Sequence, residues 1–122
     1  MHAWRFEPAS DRVPETAQPG DLDGRRAVFV AAASKDAPAC AWMAVDDYDG
    51  DEATLLFGAP SGDGFRDYIG ALLPEAIEEA TKLGFSSLLA HWRGGWAAAQ
   101  QPLKDHGFTE TVPGIWRRRL SR

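Results

Sequence analysis

Five carboxylates crowd into seven residues: Asp46, Asp47, Asp49, Asp51 and Glu52. Such a cluster is either a solvated hairpin tip or an attractor for a cationic amine. Asp46, Asp47 and Glu52 are candidate general bases, as is His91, because an imidazole titrates near neutral pH with little tuning. His91 alternates with Leu88, Ala90 and Trp92, so it shares a sheet face with Leu89. The plain alternative for it is a satisfied structural histidine. His106 precedes Gly107 and reads as a helix C-terminal cap, where a cation is favoured. Trp42, Trp92 and Trp96 are candidates to line an apolar pocket, with core packing as the alternative. A different chemistry is offered by Gly64 to Ala71. A glycine-bearing loop running into a helix start presents backbone N–H groups and a positive helix end, which together attract anions. A simple strand-to-helix connection is the alternative there.

Composition narrows the classes. The chain has 122 residues, enough for one domain with a core of its own. Its net charge of −5 argues against a general nucleic-acid binder, whose footprint is basic. Cys40, the single cysteine, excludes an intrachain disulfide and a cysteine-based zinc framework, and reads as a small core residue. No apolar run is long enough to span a membrane. The first residues, Met1-His2-Ala3-Trp4-Arg5, lack the apolar stretch of a signal peptide, so a cytoplasmic location is expected.

The elements that must position these groups follow from pattern. His2 to Glu7 reads as a short strand with Trp4 and Phe6 on one face. Residues 8–25 carry Pro8, Pro14, Pro19, Gly20 and Gly24, a spacing that forbids a regular helix interior and predicts an irregular segment. Arg26 to Ser34 and Ala39 to Val45 read as antiparallel strands, residues 46–52 as an acidic turn, and Ala53 to Ala59 as a third strand. From Ile69 onward, apolar residues at 69, 72, 73, 76, 77, 80 and 83 give one buried helix face. Pro74 places the start of that helix near Gly70 or Ala71, so that its missing N–H falls in or beside the first turn. Gly84 stops it. Phe85 to Trp92 is a strand, expected to run parallel to Ala53–Ala59 because a helix joins them. Trp96 to His106 is a second helix, with Pro102 predicted to kink or split it. Phe108 to Val112 and Ile115 to Leu120 form a hairpin across Pro113-Gly114. Trp116 is expected to pack an edge or an interface. The run Arg117–Arg119 reads as a solvated terminal strand or as a site for an acidic group. The order is that of an α+β fold, a mixed sheet with helices packed on it, in one domain over residues 1–122.

The succession Phe65-Arg66-Asp67-Tyr68-Ile69-Gly70, Leu72-Leu73, Gly84-Phe85, Leu88-Leu89, Trp96-Ala97-Ala98-Ala99 and His106-Gly107-Phe108 resembles the core of the GNAT superfamily, the acyl-CoA-dependent N-acyltransferases. The resemblance covers roughly residues 26–120. It implies a mostly antiparallel sheet of about six or seven strands with two main helices, the N-terminal helices being reduced or absent. The family's pyrophosphate loop has Arg or Gln, two residues, Gly, one residue, Gly or Ala, then a Leu on the helix. Here Ile69-Gly70 and Leu73 fit the end of that pattern, while Tyr68 stands at the earlier glycine, Phe65 at the Arg or Gln, and Arg66 one position away. In the later helix Ala99 and Gly107-Phe108 match. Trp96 replaces an Asn, and Leu103 replaces the Tyr that usually protonates the CoA thiolate.

The resemblance further implies acetyl-CoA or another acyl-CoA as co-substrate and no metal. The co-substrate would be held by Leu56, Phe57, Gly58 and Ala59 and by Gly64, Phe65, Arg66, Tyr68, Ile69, Gly70 and Ala71. Glu52 and His91 are the expected catalytic residues, and Trp42, Asp46, Trp92 and Trp96 the expected acceptor contacts. The acceptor would be an amine of a small molecule or a protein, with no role for nucleic acid or a membrane. Because the N-terminal helices normally build the acceptor side, a homodimer partner is expected to complete it. Two readings stay open: an active N-acyltransferase, or a non-catalytic GNAT-like domain acting as a CoA-binding regulator or interaction subunit.

Overall fold

The computed structural model describes residues 1–91 and 97–121. The elements are β1 (His2–Arg5), β2 (Ala27–Ala32), β3 (Ala41–Asp49), β4 (Glu52–Gly58), α1 (Phe65–Lys82), β5 (Ser87–His91), α2 (Ala97–Asp105), β6 (Thr109–Val112) and β7 (Ile115–Arg119). Among the described residues the strands form one sheet in the order β1-β2-β3-β4-β5-β7-β6. Only β4 and β5 run parallel; the other neighbours are antiparallel. This is the expected α+β arrangement, with the meander, the parallel crossover and the final hairpin in their expected places.

Three boundaries differ from expectation. β3 continues through Asp46 and Asp47 to Asp49, so most of the acidic stretch is strand and only Gly50 and Asp51 separate it from β4. Gly50 supplies the positive φ of 56° that this short hairpin requires. α1 begins at Phe65 and not at Gly70 or Ala71, so Pro74 lies well inside it. The same helix buries Phe65, Ile69, Leu72, Leu73, Ala76 and Ala80. Burying a large apolar side chain is worth about 1.5–3 kcal/mol, and several together outweigh the roughly 3 kcal/mol cost of an interior proline. α2 likewise continues through Pro102 as one helix.

α1 ends in a Schellman motif. Phe85 N–H donates to the Ala80 carbonyl at 3.2 Å and Gly84 N–H to that of Thr81 at 3.1 Å. His106 caps α2 as expected, with its Nδ1 2.8 Å from the Pro102 carbonyl.

Both helices pack on one face of the sheet. There Phe29, Met43, Leu55, Leu88 and Ala90 meet Ile69, Leu72, Leu73, Ala76, Ala99 and Leu103. Trp116 is part of this core at 4% exposure, and not an edge residue. The opposite face carries a smaller cluster of Val30, Trp42 and Ala44. The irregular segment lies over it. Ala17 and Leu22 pack on the cluster, and Pro14 is fully buried. Arg25 NH1 reaches Asp46 at 2.8 Å. From Thr16 to Arg25 the chain therefore follows β3 from its start to its acidic end. It covers part of the face that the sequence reading left to a dimer partner.

Candidate active site: a fork between two parallel strands

The parallel register between β4 and β5 runs from Glu52↔Ser87 to Leu55↔Ala90. β4 itself goes on to Gly58, with Leu56, Phe57 and Gly58 opposite Ala44, Met43 and Trp42 of β3. β5 goes on to His91, whose register partner is Ile115 of β7. Among the described residues the two strands thus part company after Leu55 and Ala90, forming a fork in the middle of the sheet.

The fork opens toward the start of α1. Six residues after Gly58, Gly64 is the N-cap, and it makes no side-chain capping bond. The first-turn N–H groups of Arg66 and Asp67 have no intrahelical acceptor, as at any helix start. Arg66 adds a cation there and Asp67 an opposing carboxylate. Tyr68 N–H is already committed to the Gly64 carbonyl at 3.0 Å. Ile69, Gly70 and Ala71 follow inside the helix, so their backbone groups are not the loop donors expected of them, and the Ile69 side chain is fully buried in the core. The donors of this helix end are those of Arg66 and Asp67, since Phe65 N–H donates to the Gly62 carbonyl at 3.2 Å. Beside them is a cleft of 370 Å³ whose lining includes Arg66, Asp67, Gly70, Pro102 and His106.

The Tyr68 side chain folds back on the loop. A methyl group on Gly64 would lie 3.2 Å from its ring. Its hydroxyl meets Cys40 at the start of β3. That hydrogen bond, then burial, then repulsion by the thiolate form of Cys40 push the phenol above its ordinary value of 10.0. Cys40 is half-buried at this junction rather than sealed in the core.

On the face away from the helices, the fork is partly roofed. Trp42 is 4% exposed, and its Nε1 donates to the Thr16 carbonyl at 3.2 Å. Thr16 Oγ1 in turn donates to the Cys40 carbonyl at 2.8 Å. A methyl on Gly58 would lie 2.5 Å from Trp42 Nε1 and 3.0 Å from the Thr16 carbonyl oxygen. Trp42 therefore packs under the irregular segment and lines no open acceptor pocket, contrary to expectation. Asp46, the other expected acceptor contact in this region, is held by Arg25. Trp92 and Trp96 lie outside the described residues.

Neither a protein-family model nor a curated protein matches the sequence. Solved structures do match the fold. A ribosomal-protein-alanine N-acetyltransferase from Brucella melitensis superposes with a TM-score of 0.64 and 21% identity, over 77% of this chain and 68% of that one. A GNAT superfamily phosphinothricin acetyltransferase from Sinorhizobium meliloti, in complex with acetyl-CoA, gives 0.64 and 16% over 78% of this chain. Here the chain spans 61% of its counterpart, less than two thirds. An alanine N-acetyltransferase of a ribosomal protein from Escherichia coli gives 0.59 and 27% over 78% of this chain and 69% of that one. The chain has the GNAT fold.

Within this GNAT fold the two expected catalytic residues are far apart. Glu52 begins β4, opposite Ser87, and His91 ends β5. Four residues of strand separate them, about 13 Å. The Glu52 carboxylate accepts from Ser87 Oγ at 2.7 Å and pairs with Arg117 at 3.1 Å. It is committed to a polar cluster at the closed end of the β4–β5 pair, beside a cleft of 430 Å³ shared with Asp49, Arg117 and Arg119. The buried Nε of Arg117 in this cluster has no hydrogen-bond partner among the described residues. Glu52 serves here as an ion-pair partner, holding β4 to β7 across β5. The Arg117–Arg119 run is accordingly tied to that cluster and to the His106 carbonyl, to which Arg118 Nε donates at 2.7 Å.

His91 is better placed. It is exposed and stands one residue past the last β4–β5 pair, on the face away from the helices. Its ring meets Tyr48 of β3, with centroids 5.0 Å apart and planes at 61°. Tyr48 was absent from the sequence-based site because its neighbourhood read as a turn. The period-two alternation from Trp42 through Ala44 and Asp46 to Tyr48 is the signal that places it on this face. Leu103, at the position of the family's tyrosine, is 1% exposed inside the core. No helix among the described residues is long and apolar enough to cross a membrane. Among those residues, no group of three His, Cys, Asp or Glu side chains is placed to hold a metal ion.

Proposed function

We propose that this chain is an N-acyltransferase that moves an acyl group, acetyl in the first instance, from acyl-CoA to an amine of a small molecule or protein. The observation that carries the reading is the fork. Among the described residues β4 runs three residues past its last pairing with β5, and the chain then leads into a helix start where the Arg66 and Asp67 N–H groups have no intrahelical acceptor. A fork of this kind accepts an extended pantetheine arm as a substitute strand along Leu56 to Ala59. A helix start accepts a pyrophosphate, with Gly64, Phe65 and Arg66 nearest. These contacts need backbone more than side chains, so they tolerate the sequence drift seen at Phe65 and Tyr68. Gly70 and the neighbouring cleft leave room beside the first turn for the nucleotide end.

On the other face, His91 takes the proton that an ammonium must lose before its nitrogen can attack a thioester. The test is calorimetric titration of acetyl-CoA and free CoA into the full chain. Micromolar binding of both is expected, and an absence of binding at millimolar ligand overturns the reading. The second reading, a CoA-binding domain without transfer, is favoured by one observation. Leu103 lies buried in the core, where no solvent-facing acid could stand. Binding without thiol release in the presence of amines would select it.

A further inference from the structure

The last hairpin gathers positive charge that the acyltransferase reading does not use. Arg117, Arg118 and Arg119 of β7, with Thr109 and Thr111 of β6 and the preceding Gly107, line one open cleft of 590 Å³. Among the described residues no carboxylate lines it, in a chain whose net charge is −5. We infer that this cleft is a binding site for a dianionic phosphoryl group, free or carried by a small molecule.

Two of the three guanidinium groups are uncompensated. Arg117 pairs with Glu52, but Arg118 and Arg119 have no ion-pair partner among the described residues. Glu110, the one carboxylate of β6, instead accepts from Gly114 N–H at 3.0 Å, at the turn of the hairpin. Arg118 is also held in place. Its Nε donates to the His106 carbonyl at 2.7 Å and its Nη1 to the Arg119 carbonyl at 3.1 Å. Gly107 permits that approach, since a methyl group there would lie 3.2 Å from the same Nε. A guanidinium fixed in this way loses little freedom when it takes up a ligand. The threonine hydroxyls make only long contacts with β7 carbonyls, 3.5 Å from Thr109 to Arg117 and 3.4 Å from Thr111 to Ile115. Each can turn to an incoming oxygen at little cost.

The arrangement suits phosphate better than carboxylate. Arg117 and Arg119 leave β7 on one face, about 7 Å apart, and Arg118 leaves on the other. Thr109 stands opposite Arg117. Donors arriving from several directions match a tetrahedral group with three terminal oxygens, whereas one guanidinium fork saturates a planar carboxylate. Asp49, Asp51 and Glu52 lie in the adjoining cleft, which shares Arg117 and Arg119, so the anion belongs on the β6 side of β7. This is also not the pyrophosphate position of the proposed function. Arg119 stands opposite Ser87, and Ser87 opposite Glu52, whereas α1 follows Gly58 at the other end of β4. Those six residues of strand are about 20 Å.

The test is a heteronuclear NMR titration of the isotopically labelled full chain at fixed ionic strength. Inorganic phosphate, glycerol 3-phosphate and acetate are the probes. Saturable amide shifts centred on Gly107, Thr109, Arg118 and Arg119 are expected with both phosphates and not with acetate. Tighter binding of glycerol 3-phosphate would mark an ester as the ligand, and equal binding the free ion. Arg119→Gln removes an exposed side chain with no ion pair to lose, so the fold is preserved. It should weaken phosphate binding about tenfold, as expected for loss of a charge-assisted contact. Arg66→Gln, at the helix start, should change it less than about twofold, because the two sites lie beyond the reach of a screened charge. Shifts confined to the start of α1, an equal response to acetate, or undiminished binding by Arg119→Gln would overturn the inference. None of these results bears on acetyl-CoA binding, which Arg119→Gln should leave unchanged.

Discussion

The indole Nε1 of Trp42 donates to the backbone carbonyl of Thr16, and the bond passes directly over Gly58. Three distant parts of the chain, the irregular segment, β3 and the end of β4, are joined at one point with no space for a methyl group. Gly58→Ala is expected to destabilise the fold by about 1–3 kcal/mol through overpacking. Trp42→Phe, which removes the indole N–H, should cost about 1 kcal/mol from the lost bond alone. The double variant should cost less than the sum, because the smaller ring makes room for the methyl. Urea midpoints for the four proteins measure this, and strict additivity would show that the contact is not shared.

Tyr68 gives a pH-dependent term. Its phenol is raised by the hydrogen bond to Cys40, by burial and by repulsion from the Cys40 thiolate form, so the folded state prefers the protonated hydroxyl. That preference stabilises the fold fully below the unfolded phenol's value near 10, and it disappears as pH climbs through the raised folded value. Tyr68→Phe should therefore lower the urea midpoint at pH 8 and approach the wild-type midpoint above pH 10. A midpoint difference that stays constant across this range would remove Tyr68 as its source.

Leu103 offers a test by restoration. Leu103→Tyr recreates the family's residue, but the site is 1% exposed and packed by α1 and the sheet. We expect a loss of about 1–3 kcal/mol from overpacking, and no gain in thiol release. A stable variant with higher turnover would mean that the α2 position can still reach the thioester.

Glu52 separates structure from catalysis. Its carboxylate bridges Ser87 and Arg117, six residues along β4 from Gly58 and about 20 Å away. Glu52→Gln should cost about 1 kcal/mol of stability, typical of a partly exposed ion pair. The acetyl-CoA Kd and turnover should remain within twofold. A selective loss of kcat would return Glu52 to the list of bases.

The fold was largely legible in the chain because its signals are local and agree with one another. Short apolar runs mark β2 to β5, Gly84 stops α1, and Pro113-Gly114 turns the last hairpin. The site was harder to read because two local rules met stronger non-local terms. Pro74 argued for a late helix start, yet Phe65 and Ile69 bury against the sheet and draw the helix back to residue 65. The run of aspartates looked like a turn, yet β4 supplies a pairing edge that carries β3 to Asp49 and lifts Tyr48 onto the sheet. Distances such as Glu52 to His91 depend on where strands part, and no local pattern records that.

The strand order ends β5-β7-β6, so the final strand in sequence is an interior strand of the sheet. β7 pairs with β5 on one side and β6 on the other. A nascent chain that has released only residues up to β6 holds a strand with nothing to dock on, and the sheet closes when Ile115–Arg119 slots into the gap. Trimming those residues would not fray an edge. It would divide the sheet, leave β6 without its partner strand and strip Glu52 of Arg117.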